Sequence, residues 1–449
     1  MSSIPSESVV PSASSHADSS PILSLSPGFI TCDDAAVFLH ESFKSHRGAE
    51  FAGFILKNEE GRFFCAQEAT LADESSVQKS PDFTLVVTQN LKGEWAVPSG
   101  YTLEARLFSH SGKIKGIDES PVEWGQRQLF FSVADLFEVM TWRRQFSRCY
   151  LSVSDGALIS YTSTDSEFEQ ELSPRFGRKP DGGVQTFGSL YDSGAMPSSI
   201  LILLAVAAGV VTTVVCGNLW RRRGHLRASW RKDILQQNPP VELMPVCGPV
   251  FKDAGEVAGY LHKQMLALSP AQQQVGVVLK HKTQGVFVVT APVPSDYATF
   301  DMQVLFPKDL HGNVLLPAEF RIHGFYHSMN PISDNLLPST QVERYKNFFS
   351  IKDLRVGLSR VSDAPHHRLF LCTPDGAVLR FAKPDSEKVV RLMAQLNSQS
   401  DDYQDFEQQI LTDRMLPQAF INRVAAAGTL SVLHPSSVWP KGRVTSLAQ

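Results

Sequence analysis

The sequence predicts an α+β protein in which two copies of a mixed-sheet domain are separated by one transmembrane helix. Three observations carry that expectation. Blocks of the first half recur in the same order in the second half, helical and hairpin patterns interleave within each copy, and an uncharged, largely apolar run lies between the copies. The chain has 449 residues, and 42 basic against 46 acidic side chains leave a formal charge of −4. Hydrophobic residues make up 43% and charged residues 20%, which excludes wholesale disorder and collagen-like repeats. The mild negative balance argues against a nucleic-acid partner. Six scattered cysteines form no CxxC pair, so neither a zinc ribbon nor a disulfide scaffold is expected.

The elements follow in chain order. Residues 1–27 hold eleven Ser, four Pro and no aromatic residue, and are expected to be a disordered tail. They lack the basic and apolar regions of a secretory signal. A first copy is expected over 28–172. It opens on an amphipathic helix, TCDDAAVFLHESFKSH, with Thr31, Asp33 or Asp34 as N-cap. FAGFILKNEEGRFFCAQE then reads as a hairpin turning at Asn58–Gly61. FFSVADL begins a helix capped by Ser132, and CYLSVSDGALISY is a strand–turn–strand in which Asp155-Gly156 supplies positive φ.

After a linker at 173–197, residues 198–219 match the roughly 20 residues that span a bilayer. Trp220 would sit at the membrane interface, followed by Arg221, Arg222 and Arg223, which the positive-inside rule places in the cytoplasm. The expected partners are therefore a lipid bilayer and an unidentified protein, and the expected location is a bacterial inner membrane with a cytoplasmic carboxy-terminal domain.

Residues 220–245 read as a basic linker. The second copy is expected over 246–392. FFSVADL matches FFSIKDL at an offset of 218, CYLSVSDGALISYTSTDSE matches LFLCTPDGAVLRFAKPDSE at 220, and GFILK matches GVVLK at 223. Residues 393–449 are read as a helical extension of the second copy.

The motif HGFYHSMNP (His323–Pro331) resembles part of the JAMM, or MPN, zinc metallopeptidase signature. That family carries a Glu three positions before a Gly in its first strand, then H-S/T-H-P, then Ser-x-x-Asp. In the second copy the resemblance places His327 at the first zinc ligand, Met329 at the second and Gln273 at the base, and puts Ser-x-x-Asp near Leu337 and Thr340, where neither residue fits. In the first copy it implies Glu50 as general base, with His110 and Glu123 as metal ligands, Glu123 through Ser120-x-x-Glu. The order of blocks is most similar to a bacterial domain of unknown function found in pseudomonad-type and Rhs-associated proteins. That resemblance covers both copies but not the apolar run or the Ser-rich tail.

Such zinc chemistry needs three protein ligands and an open fourth position. Neither copy musters three. The sequence therefore points to a single-pass membrane protein with two degenerate MPN-like domains, acting without catalysis through protein contacts and requiring no cofactor. One alternative is a metal-dependent peptidase or isopeptidase in which Glu50 activates a water on zinc held by His110, Glu123 and a third ligand. Another is a secreted effector acting on membranes, or its cognate partner. No nucleotide-binding loop, GxSxG or HExxH is present.

Overall fold

A computed structural model describes residues 25–43, 51–68, 86–89, 94–110, 120–177, 186–229, 241–268, 271–329, 342–397, 406–412 and 414–445. The first half begins with α1 (Cys32–Ser42), β1 (Ala52–Asn58), β2 (Phe63–Glu68), β3 (Val86–Gln89), β4 (Trp95–Ala96) and β5 (Tyr101–Ser109). It continues through α2 (Pro121–Gln128), α3 (Val133–Trp142), β6 (Arg148–Ser152), β7 (Leu158–Thr162), α4 (Glu167–Phe176), α5 (Phe187–Asp192), α6 (Ser198–Ala208), β8 (Val210–Val215) and β9 (Gly224–His225). The second half holds α7 (Ala254–Leu266), β10 (Gln274–His281), β11 (Phe287–Val289), β12 (Val293–Pro294), β13 (Phe320–Ser328), α8 (Val342–Lys346) and α9 (Ile351–Asp363). It ends with β14 (Arg368–Cys372), β15 (Val378–Ala382), α10 (Ser386–Asn397), α11 (Phe406–Leu411), α12 (Pro417–Ala426), β16 (Thr429–His434) and β17 (Gly442–Arg443).

The fold is α+β with two mixed sheets. Their orders are β4-β3-β2-β1-β5-β6-β7-β8-β9 and β11-β10-β13-β14-β15-β16-β17, with β12 added to β10. Both contain the same parallel step, β5 to β6 and β13 to β14, bridged by helices. Each central sheet is covered on one face by a single helix, α1 or α7, and on the other by a helical layer around Phe130/Phe131 or Phe348/Phe349. Local chemistry sets the helix starts. Thr31 caps α1, Ser132 caps α3 and Ser350 caps α9, each through its side-chain oxygen. Gly156 and Gly376 both adopt φ +92° in the β-hairpins. Equivalent histidines tie the covering helix to that turn. His40 Nε2 donates to the Gly156 carbonyl at 3.2 Å, leaving Nδ1 to accept from Ser152 Oγ at 2.8 Å. His262 Nδ1 donates to the Gly376 carbonyl at 2.6 Å.

The expected membrane span is corrected by the structure. Among the described residues no helix is long and apolar enough to cross a membrane. The apolar run is instead divided at Gly209. Its first part is α6, only 11 residues and therefore about 16 Å long, against a roughly 30 Å hydrocarbon core. Its second part, VVTTVV, is strand β8, hydrogen-bonded to β7 within the sheet. Four Val and two Thr in succession favour a pleated strand over a helix. A Cβ at Gly209 would fall 2.6 Å from the Thr162 carbonyl, so the chain can turn from helix to strand only on glycine there. Leu201, Ile202, Ala205, Val211 and Val214 are all buried in the protein core. The hydrophobicity of the run serves this core on one side, while Ile200 and Val210 stay exposed on the other.

The interface role expected for Trp220 and the arginines falls with it. Trp220 is 2% exposed, packs on Phe130 and donates its indole N–H to the Leu129 carbonyl at 2.7 Å. Arg221 and Arg223 donate to the carbonyls of Asn218 and Val214, and Arg222 pairs with Glu242 at 3.2 Å. With the span go the single-pass architecture and the inner-membrane placement built on it.

The segment α6–Gly209–β8–Trp220 has a counterpart in α12–Gly428–β16–Trp439. Trp439 packs on Phe348 and donates to the Asn347 carbonyl at 2.7 Å, as Trp220 does to Leu129 beside Phe130. The correspondence of elements thus continues past the matched sequence blocks into the segment expected to be an extension. The expected tail, 1–27, lies outside the described residues up to residue 24. Beyond it, Ser26 is buried and its Oγ accepts from the Cys65 amide at 2.7 Å. The halves meet through residues 28–34 and 247–250. Val250 N–H donates to the Gly28 carbonyl at 2.9 Å, and Cys247 N–H donates to Asp34 Oδ1 at 2.6 Å.

Candidate functional site

The strand ladders decide which residues are equivalent. In the second half β10 and β13 pair so that Tyr326 faces Gly276 and His327 faces Val275. Gly276 is required because the Tyr326 ring lies across it, 2.3 Å from where a Cβ would be. Gln273 immediately precedes β10 and Met329 immediately follows β13. Helix α9 begins at this spot, where Ser350 Oγ accepts from the Asp353 backbone N–H at 3.0 Å and so places Asp353 in the first turn.

The result is a cluster of Gln273, Tyr297, His327, Met329 and Asp353. Gln273 Nε2 donates to Asp353 Oδ2 at 3.3 Å, and its Oε1 accepts from the Tyr297 amide at 2.8 Å. His327 Nε2 lies 3.6 Å from Asp353 Oδ2, an ionic contact longer than a hydrogen bond. The Tyr297 ring stacks on the imidazole, centroids 4.1 Å apart and planes 16° from parallel, and the Arg360 guanidinium covers that ring at 4.7 Å. His327 is 1% exposed, and among the described residues neither ring nitrogen has a hydrogen-bond partner. Burial pushes its pKa down to about 4, against the opposing pull of Asp353, so the imidazole is neutral at pH 7.

Asp353 was missed by sequence reasoning. FFSIKDL itself contains Ser350-x-x-Asp353, whereas the expected positions near Leu337 and Thr340 lie outside the described residues. The same holds in the first half, where FFSVADL contains Ser132-x-x-Asp135. Ser132 and Asp135 form a reciprocal capping box. Asp135 Oδ2 also accepts from His110 Nε2 at 2.7 Å.

The first-half ladder shifts the expected assignment of His110. Phe108 faces Ala52, the residue before Gly53, as His327 faces Val275, the residue before Gly276. Phe108 therefore occupies the place of His327, and His110 the place of Met329. Glu123 stands elsewhere. Its two oxygens accept from Ser199 N–H at 2.9 Å and Ser199 Oγ at 2.8 Å, an acidic cap at the amino terminus of α6. Glu50 lies outside the described residues. Of the residues the sequence singled out, the structure thus brings His327 to Gln273, Met329 and an unforeseen aspartate, and His110 to the equivalent aspartate. It separates Glu123 from that pair.

Among the described residues there is no group of three or more His, Cys, Asp or Glu side chains that could hold a metal ion. The donor sets explain why. The second half offers one imidazole, one carboxylate and a thioether, and the first offers one imidazole, one carboxylate and a phenyl ring. A shallow groove bordered by His262, Leu266, Gln274, Met329 and Thr373 opens beside the second cluster. No protein-family model and no curated protein matches the chain.

Proposed function

We propose that the chain is a non-catalytic binding protein built from two diverged copies of an MPN-like domain, each with its metal-holding set broken at a different place. One observation carries the reading. The ladder position of His327 holds Phe108 in the first half, and the position of His110 holds Met329 in the second. Each half keeps one imidazole and the aspartate of the next helix's first turn, one ligand short of a zinc peptidase set. A thioether is a poor substitute for imidazole on Zn²⁺. Gln273 cannot act as a carboxylate base, and both of its polar ends are engaged within the fold. The remaining groups serve the scaffold, His110 by fastening β5 to α3 through Asp135 and Asp353 by holding Gln273 against the first turn of α9.

The test restores what is missing. The double variant Gln273→Glu/Met329→His should bind about one zinc per chain with His327 and Asp353, measured by elemental analysis after dialysis. The native chain should bind well below stoichiometric zinc. A native stoichiometry near one, abolished by His327→Ala, would overturn the proposal.

A further inference from the structure

One face of the second sheet carries an unbalanced row of cations. Lys280 on β10 stands directly opposite Arg321 on β13. Arg368 on β14 lies beside Gly324, Arg380 on β15 faces Phe370, and Ser431 on β16 links Arg380 to Arg443 on β17. Side chains two residues apart share a face of a strand. Arg368 therefore shares the face of Phe370, and Arg380 that of Val378, which is the face covered by α7. Lys280 lies 5.2 Å above the Phe287 ring, and His323 packs against Phe287 and Phe370 on that same face. The row crosses six neighbouring strands, about 24 Å at roughly 4.8 Å per strand.

No carboxylate among the described residues neutralises these charges, although Arg368 Nη1 donates to the Pro365, His366 and His367 carbonyls. Among the described residues none of Lys280, Arg321, Arg368, Arg380 and Arg443 is ion-paired with a carboxylate. Arg380 Nε is buried without a hydrogen-bond partner. His323 senses the field. Burial first, and then Arg368, Lys280, Arg380 and Arg321, push its pKa down to about 3. The equivalent ladder positions of the first half hold Lys57, Thr102, Arg148, Ser160 and His225, and Arg148 there is paired with Asp33 at 3.3 Å. Five cations in the one sheet answer to two in the other, on a chain whose net charge is −4.

We propose that this face docks an extended acidic segment of a partner protein. Arginine forks bind carboxylates through two parallel N–H bonds, and four of the five cations are arginine. A single-stranded nucleic acid is disfavoured by the same geometry. Such sites offer exposed aromatic faces to the bases, whereas Phe287 and Phe370 are buried beneath the cations. The inference does not depend on the metal-site argument, since a zinc-binding chain would carry the same face.

Binding of a fluorescein-labelled peptide of about ten glutamates to the full chain, followed by anisotropy in low salt, tests it. Arg321 and Arg443 are exposed, so Arg321→Gln/Arg443→Gln removes charge without disturbing the core. This variant should weaken binding about tenfold, and raising the salt should weaken it further. Lys57→Gln in the other sheet should leave it unchanged. Absence of peptide binding by the native chain, or equal binding by the double variant, overturns the proposal. Tighter binding of a thymidine oligonucleotide of equal charge also overturns it.

Discussion

The two halves share an order of seven strands, β2 to β9 in one sheet and β11 to β17 in the other, and differ at the positions where chemistry would be done. In the second, His327 is sealed between Tyr297 and Asp353 with both nitrogens unsatisfied. In the first, Phe108 fills that place, and the imidazole has moved two residues along to His110, where it makes a 2.7 Å hydrogen bond to the capping Asp135. The aspartate stands in the first turn of the helix in both halves, but Asp135 closes a capping box there, whereas Asp353 accepts from Gln273. What varies is whether the adjoining ring is polar. The scaffold thus requires volume at this point and tolerates a change in chemistry.

The largest effect that could break the comparison concerns the tryptophans. If Trp220 and Trp439 are equivalent core anchors, Trp220→Ala and Trp439→Ala should each destabilise by about 3–5 kcal/mol in urea unfolding. A Trp220 variant of native stability, beside a damaged Trp439 variant, would show that the first segment is not packed as its counterpart is.

That equivalence was only partly legible in the sequence. Turns and caps could be read because they depend on local geometry. Gly156 and Gly376 need positive φ, and Ser132 and Ser350 have a free amide three residues ahead to accept from. The split of the apolar run was less legible, because hydrophobicity alone does not distinguish burial in a core from burial in lipid. The signal was a change of residue type at one glycine, from Leu- and Ala-rich before Gly209 to Val and Thr after it. AVAAG (Ala205–Gly209) also resembles VAAAG (Val424–Gly428), but the flanking residues differ enough to hide the match. The aspartates of the candidate site were hidden for another reason. Their distance along the chain from the histidines is set by loop length, and only folding shows that α3 and α9 begin against the ends of β5 and β13.

A middle-sized effect separates the first turns of α1 and α7. Asp34 and Glu256 occupy the same helical position, three residues after the N-caps Thr31 and Asp253. Glu256 is exposed and accepts from the Lys252 amide, whereas Asp34 is buried between the halves on Cys247 N–H. Burial raises the Asp34 pKa from 3.8 to about 7, opposed by the Cys247 bond, by Thr31 and by Arg223, and aided by Asp33. Cys247 and Tyr260 face it from the second half. A carboxyl whose pKa is raised by folding stabilises fully below its unfolded value and loses that contribution as pH climbs to the folded value. Native stability should therefore fall relative to Asp34→Asn between about pH 4 and 7, by about 1.4 kcal/mol per pH unit at most, and level off above. The amide side chain of that variant keeps an oxygen for Cys247 N–H, so the difference reports ionisation. Parallel pH profiles for the two proteins would show that folding does not raise the Asp34 pKa.

The smallest effect bears most directly on what the site has become. If the position of His327 now asks only for a flat ring, His327→Phe copies the first half and removes two buried nitrogens that lack partners. An unsatisfied buried polar group costs about 1–3 kcal/mol, which an apolar ring of similar shape recovers in part. The variant should be neutral or up to about 1 kcal/mol more stable by urea unfolding. The reverse change, Phe108→His, should destabilise by about 1–3 kcal/mol, because it buries a polar ring where a phenyl packs against Phe131. A loss of more than about 2 kcal/mol in His327→Phe would mean that the imidazole engages Asp353 in a way Phe108 cannot replace. The second half would then have kept a polar site after all, and the symmetry of decay between the two halves would be broken.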